Sequence, residues 1–304
     1  MLRSIAALSF ATVLLGAPSM SIGLTWHVPS QCPTIQAGID SASAGDTVFV
    51  ACGTYYEHDI VMKSGIYLTS ETGQADCVMI DAGDSGRILY CDSVDSLAEV
   101  VGCTMTRGNA LMGGALYCSN SSPRILNTIF YYNGGYAGGA VLCEAVSSPA
   151  FTSCTFFGNG FASGMPPHCY GGAVYLVELS SSTFTACVFS NNRTDFYGPI
   201  MSEGTPPALH CCNLYGNSYG SPAGENPSDW YGIEDQLGVN GNISEDPLFC
   251  DPWNGNLGVG PDSPNLPANN SCDVLIGAVG ESCTAEEAAR VEATSWSTLK
   301  AFYR

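Results

Sequence analysis

The sequence predicts an all-β chain wound into a single right-handed parallel β-helix, a solenoid with about 25 residues per coil. Three observations carry that expectation. Short Val/Ile/Phe/Tyr/Cys runs alternate with turn residues, and the 304 residues include 35 Gly and 17 Pro. The segments recur, as in GGALYC (113–118), GGAVLC (138–143) and GGAVYL (171–176). Charged residues make up only 12% against 45% apolar, too few for helices with salt-bridged solvent faces.

Between the Gly-Gly-Ala segments come NTIFYYN (127–133), SCTFFGN (153–159), ACVFSNN (186–192) and CCNLYGN (211–217). Anchoring on Cys103, Thr128, Cys154, Cys187 and Cys212 gives spacings of 25, 26, 33 and 25. The long spacing contains Ser163 to Pro167, expected to bud from its coil as a loop. A coil of this length accommodates three short strands, each stacked in parallel on the next coil, and period-two alternation sorts their side chains. The expected inward columns are Leu68, Cys91, Cys118, Cys143 and Leu176; Cys103, Thr128, Cys154, Cys187 and Cys212; and Phe130, Phe156, Phe189 and Leu214. Asn133, Asn159, Asn192 and Asn217 fall at a turn, where stacked amides bond along the ladder and tolerate left-handed backbone.

One outward column stands apart. Phe49, Tyr67, Tyr90, Tyr117 and Tyr175 are expected to form an aromatic stripe, interrupted by Leu142. Such rings suit an extended sugar polymer or a protein partner; strand propensity and covering loops account for them as well.

The ends need caps. Ile35 and Ile39, four apart behind Thr34, predict a short N-terminal helix over the first coil. Residues 218–247 break the rhythm as a long excursion, read as a cap or a functional loop. Thr284 and Glu287 make a capping box that opens a short helical tail, 284–304. At the other end, Arg3, the apolar run Ile5–Leu15 and small residues from Gly16 to Gly23 read as an export signal over 1–21, cleaved between 17 and 23. The β-helix is then expected over 25–283, with no membrane span in the mature chain.

The formal charge of −19 with nine Lys plus Arg excludes a nucleic-acid partner, which needs cations against phosphates. Acidity suits solubility, with carboxylate sites for Ca²⁺ a lesser option. Fifteen cysteines lie past the signal, without a Cys-x-x-Cys pair, so no metal site is expected. The column thiols read as packed hydrophobes, with bridges expected near the ends as Cys52–Cys77 and Cys272–Cys283.

Catalytic tools are sparse. Asp81, Asp84, Arg87, Asp92 and Arg107 form the best acidic and basic cluster, read primarily as turn contacts. The histidines are scattered, and no carboxylate pair stands in a hydrolase pattern.

The opening VPSQCPTIQAGIDSASAGDTVFVACGTYYE (28–57) and the closing Asp246-Pro247-Leu248-Phe249, Ser263-Pro264 and Ile276-Gly277-Ala278 resemble the pectin-lyase-like right-handed parallel β-helix proteins. The Gly-Gly-Ala and Phe-x-x-Asn elements resemble the repeats of polymorphic outer-membrane proteins. Related closing segments imply Cys where Asn265 stands, so loss of that bridge partner would account for the odd cysteine count. The resemblance implies the fold and an extracellular or envelope location. Its members include polysaccharide lyases, polygalacturonases, adhesins and surface proteins, so it does not carry one function over. The residues favour a non-catalytic binding or adhesive role toward an extracellular polysaccharide or a cell-surface partner, with a polysaccharide lyase or glycoside hydrolase, or a purely structural surface protein, as alternatives.

Overall fold

A computed structural model of the chain describes residues 23–160, 169–195, 197–219, 226–227 and 229–288. The expected signal segment, the bud around Ser163 to Pro167 and most of the tail lie outside these residues. Among them, three parallel sheets wrap seven coils. Sheet A runs through Thr25–Val28, Thr47–Val50, Tyr67–Ser70, Glu99–Val101, Arg124–Leu126, Ala150–Thr152, Thr183–Thr185 and Ala208–His210. Sheet B takes Gly53–Tyr55, Val78–Asp81, Cys103–Thr106, Ile129–Tyr131, Thr155–Phe157, Val188–Ser190 and Asn213–Tyr215. Sheet C takes Ile60–Val61, Leu89–Asp92, Leu116–Ser119, Val141–Glu144, Val174–Leu176, Ile200–Ser202 and Trp230–Tyr231. Each coil passes A, B, C in turn.

The repeated motifs are read directly in the corners. One left-handed residue turns sheet A into sheet B, at Gly102, Asn127, Ser153, Ala186 and Cys211. The next residue points inward, which fills the column Cys103, Thr128, Cys154, Cys187 and Cys212, all buried. In Gly-Gly-Ala, the first glycine has φ of 58–65° at Gly113, Gly138 and Gly171. The second permits coil-to-coil contact: a Cβ on Gly114, Gly139 or Gly172 would lie 2.3 Å from a backbone oxygen of Gly134, Gly172 or Arg193 respectively. The alanine that follows is fully buried at 115, 140 and 173.

Inside, rings stack from coil to coil: Phe130 on Phe156 at 4.6 Å, Phe156 on Phe189 at 4.6 Å, and Phe151 on Phe184 at 4.9 Å. Cys91, Cys118 and Cys143 stack in register on sheet C. Leu68, expected in that column, instead stacks between Val48 and Val100 on sheet A. The reason is that 67–70 opens its coil, whereas 89–92 is the third strand of the same coil.

The asparagine column is a buried amide ladder. Asn133 Nδ2 donates to Asn159 Oδ1 (3.1 Å), Asn159 Nδ2 to Asn192 Oδ1 (2.9 Å), and Asn192 Nδ2 to Asn217 Oδ1 (3.0 Å). All the amides point one way, and the donor end of the series meets Asp229, whose Oδ1 accepts from Asn217 Nδ2 at 2.9 Å. A second turn ladder escaped the sequence reading: Ser121, Ser147 and Ser180 accept from the backbone N–H of Val94, Ser121 and Ser147. Its sequence signal is the Ser-Ser before Pro123 and Pro149 and the serine run at 180–182.

Burial pushes the Asp229 carboxyl from the ordinary 3.8 up to about 6, against the Asn217 bond that lowers it, with Asp235 adding repulsion. The folded chain therefore holds this proton more tightly than the unfolded chain. Its stabilising contribution is complete below about pH 4 and is lost as pH rises through about 6. Asp229→Asn, which keeps an acceptor for Asn217, is expected to gain up to about 3 kcal/mol over the parent at pH 8 and nothing at pH 4. Denaturant melts at the two pH values check this.

The N-terminal end is closed by α1, Ile35–Ser41. Thr34 Oγ1 accepts from Ala37 N at 3.0 Å, and Glu57 accepts from the N–H groups of Ile35 and Gln36. Lys63 Nζ donates to the carbonyls of Ile39, Asp40 and Ala42, satisfying the other end. Ile35 and Ile39 are fully buried on the first coil.

At the far end, Trp230 and Ile233 pack against the core. The chain then doubles back. Phe249–Asp251 and Asn256–Val259 pair as an antiparallel hairpin, and Phe249, Leu257, Val259, Ile276 and Ala278 cover Ile129, Phe157 and Val188 on the outer face of sheet B. Ala278 N donates to Thr155 Oγ1 (3.0 Å) and Gly277 N to Ala186 O (2.8 Å).

One disulfide, Cys211–Cys272, ties this segment to the coils, and Cys250–Cys283 closes the segment on itself; a third, Cys52–Cys77, joins successive coils near the start. The expected Cys272–Cys283 bridge is thus incorrect. Cys211 occupies the outward corner position, so its thiol meets the returning segment while Cys212 turns inward. The other nine cysteines are free and buried. One lost partner at Asn265 therefore does not explain the odd count; Asn265 is itself buried and accepts from Asn213 Nδ2 at 2.8 Å.

Candidate functional site

With sheet B covered by the returning segment, the aromatic stripe is carried by the outer face of sheet C. In register across its seven strands stand Val61, Tyr90, Tyr117, Leu142, Tyr175, Met201 and Tyr231. Three of the five expected stripe residues, Tyr90, Tyr117 and Tyr175, are here. Phe49 and Tyr67 are not: they lie on sheet A, opposite Thr69 and Thr47, and Phe49 packs edge-on against His27 at 5.3 Å. Period-two alternation gives the same outward direction on every sheet, so it could not separate the two faces.

Tyr90 and Tyr117 stack at 5.3 Å with planes 5° apart. The strands Asn109–Met112 and Gly134–Ala137 pair beside sheet C and bring Tyr136 and Ala137 against Tyr117 and Leu142. Tyr117 and Leu142 are consequently buried, 9% and 2% exposed, which makes them floor rather than contact surface. Further rings continue the series: Tyr136 to Tyr170 at 5.3 Å, Tyr170 to Tyr175 at 6.4 Å, Tyr170 to Tyr197 at 6.0 Å, and Tyr197 to Tyr231 at 4.0 Å. Tyr197 and Tyr231 are exposed. Sequence reasoning missed Tyr136, on the short strand beside sheet C, and Tyr170 and Tyr197, in connecting segments, because all three lie outside the three-strand repeat.

Two tyrosines face carboxylates one coil on. Tyr117 donates its hydroxyl to Glu144 Oε1, and Glu203 is close enough to act on the Tyr175 phenol. Burial first, and these carboxylates next, push both phenols well above their usual range, so they remain neutral. The glutamates were detectable in the sequence only as acids two residues past the stripe position.

The acidic and basic cluster divides. Arg107 grips Asp81 with Nε on Oδ1 (2.7 Å) and Nη2 on Oδ2, while Gly83 N donates to the same Oδ1 at 2.9 Å. Asp84 is close enough to act on Arg107 by charge. This is a corner brace whose carboxylate is already occupied. Arg87 lies elsewhere, with its guanidinium 4.6 Å from the Tyr117 ring centre and 5.5 Å from that of Tyr90, donating to the carbonyls of Met112 and Gly113. Asp92 belongs to the outer face of sheet C. The five residues therefore do not converge, and the pairing of Asp81 with Arg107 holds structure. Among the described residues, no three His, Cys, Asp or Glu side chains are grouped to hold a metal.

The family model for the right handed beta helix region matches residues 54–219, more than half of the chain, and the protein belongs to that family. Its three-sheet solenoid agrees with the expected pectin-lyase-like fold. A search of curated proteins returned no match, and a search of solved structures returned none. No helix among the described residues is long and apolar enough to cross a membrane.

Proposed function

We propose that the protein is a secreted or cell-surface binding protein whose sheet C face holds an extended glycan without cleaving it. The observation that carries this reading is the tyrosine series from Tyr136 through Tyr170 to Tyr175, Tyr197 and Tyr231, in ring-to-ring contact along the solenoid axis. Sugar rings stack on such faces through their C–H edges, and a linear polymer matches a linear platform. Three disulfides suit an oxidising location, as does the expected export signal. The Gly-Gly-Ala and Phe-x-x-Asn repeats extend the reading to kinship with polymorphic outer-membrane proteins and a place on the envelope.

Tyr197→Ala combined with Tyr231→Ala is expected to weaken retention on the bound glycan at least about tenfold, roughly 1.4 kcal/mol, with unchanged thermal unfolding. A glycan array followed by titration measures it; unaltered retention would overturn the reading. Product release from a polysaccharide, with or without added Ca²⁺, would instead favour a lyase or glycosidase.

A further inference from the structure

The free cysteines divide into two kinds by what stands beside them along the solenoid axis. On sheet C, Cys118 is in register with Cys91 on one side and Cys143 on the other. At the corner into sheet B, Cys154, Cys187 and Cys212 stand one residue before the paired Thr155, Val188 and Asn213. They too are therefore stacked on successive coils. All six thiols of these two triplets are free and fully buried. The other three free cysteines meet different neighbours. Cys103 lies between Val78 and Thr128, Cys32 meets the Ser41 hydroxyl, and Cys169 meets the carbonyl of Gly160.

Stacked strands stand about 4.8 Å apart, inside the Cα range of a disulfide. The molecule itself shows that such a pair can close. Cys52 and Cys77 stand one residue before the paired Gly53 and Val78, on successive coils, and are bridged at a Cα separation of 4.5 Å. The corner thiols also lean along the axis. Cys154 Sγ reaches Ile125 O at 3.4 Å, Cys187 Sγ reaches Phe151 O at 3.6 Å, and Cys212 Sγ reaches Phe184 O at 3.4 Å. Each of these carbonyls belongs to the preceding coil. In sheet C, Cys143 and then Cys91, with burial added, raise the Cys118 thiol well above its ordinary range. Thiolate is scarce there, so the triplet stays reduced while the coils are closed.

We propose that the two triplets form a redox-sensitive lock, in which Cys118 and Cys187 each bridge to one adjacent cysteine and staple neighbouring coils. The oxidant is a small disulfide of the glutathione type, and it acts when a coil opens. An exposed thiolate attacks that disulfide and expels one thiol; the neighbouring cysteine then attacks the mixed disulfide and expels the second. The two electrons leave with the oxidant, and both cysteine protons end on its two thiols. The outer members of a triplet stand two strand spacings apart, about 10 Å, too far to bridge each other. One thiol per triplet therefore remains, and full locking takes the free thiols from nine to five.

The test is incubation of the whole protein in glutathione redox buffer at urea concentrations below its unfolding transition. Peptide mass spectrometry without reduction and stopped-flow unfolding then read the result. Expected are crosslinked peptides joining Cys118 to Cys91 or Cys143, and Cys187 to Cys154 or Cys212. Cys32, Cys103 and Cys169 should remain open to alkylation after denaturation. The oxidised protein is expected to unfold at least about tenfold more slowly than the reduced triplets allow. Cys118→Ala with Cys187→Ala should abolish both crosslinks and the slower unfolding, whereas Cys103→Ala should keep them. The peptide map of the parent protein needs no variant, so it decides the matter even where the double variant fails to fold. Nine thiols still free at every urea concentration, crosslinks that take in Cys103 or Cys169 as often as the triplets, or an unfolding rate unchanged by oxidation would each overturn the inference.

Discussion

Replacing Asn159 by alanine is expected to destabilise the fold by about 3–6 kcal/mol, because several buried backbone and amide groups lose their partner at once. Asn159 Oδ1 accepts from Asn133 N (3.0 Å) and Asn133 Nδ2 (3.1 Å), and its Nδ2 donates to Phe130 O (2.8 Å) and Asn192 Oδ1 (2.9 Å). The residue is 1% exposed, so water cannot replace those bonds without opening a coil. Asn159→Asp isolates the amide contribution, since it keeps shape and acceptors but loses both donors and adds a buried charge. It should be at least as damaging at pH 8 and milder at low pH, where the carboxyl is protonated. Urea titration of the three proteins at both pH values measures the differences. An alanine variant within 1 kcal/mol of the parent would show that the ladder follows the coil rather than holding it.

The second large effect is expected at the returning segment. Cys211→Ser together with Cys250→Ser removes the bridge that ties the segment to the coils through Cys272 and the one that closes it on itself through Cys283, with sequence separations of 61 and 33. Each crosslink typically contributes about 2–4 kcal/mol by restricting the unfolded chain. The structural consequence is local: with the segment released, Ile129, Phe157 and Val188 on sheet B face solvent. The double variant should bind a hydrophobic dye and be cut early by protease between residues 244 and 283, while the coils keep their far-ultraviolet spectrum. Cys52→Ala, which breaks a bridge between two adjacent coils, should leave the segment resistant. Dye binding that stays at the parent level would mean that the apolar contacts alone hold the segment in place.

The contrast between these regions shows where the sequence was legible. Each coil from 103 to 217 repeats its corner chemistry, so Phe130, Phe156 and Phe189 could be aligned by spacing, and the structure stacks them in that register. The first coils lack Gly-Gly-Ala, and there alternation alone assigned Tyr67 and Leu68 to the wrong sheet. A strand of four residues states which side chains share a face but not which of three sheets it joins. The returning segment has no internal repeat, so the partners of Cys250 and Cys272 were set by contacts with no local signature. The candidate site was half visible for the same reason. Tyr90, Tyr117 and Tyr175 sit in the repeat, whereas Tyr136, Tyr170 and Tyr197 lie outside its three strands, and Glu144 meets Tyr117 only through the register of neighbouring coils.

The buried thiols have a practical consequence. Cys91, Cys118, Cys143, Cys154, Cys187 and Cys212 place a free cysteine in each of six successive coils, all fully shielded, and Cys103 and Cys169 add a second to two of them. Burial pushes thiols such as Cys103 up to about 12, so alkylating reagents find almost no thiolate in the native fold. Labelling must then wait for each turn of the solenoid to open, and peptide mass spectrometry can time every position separately. The chain carries its own set of clocks, able to report whether it unravels from an end or melts as a block.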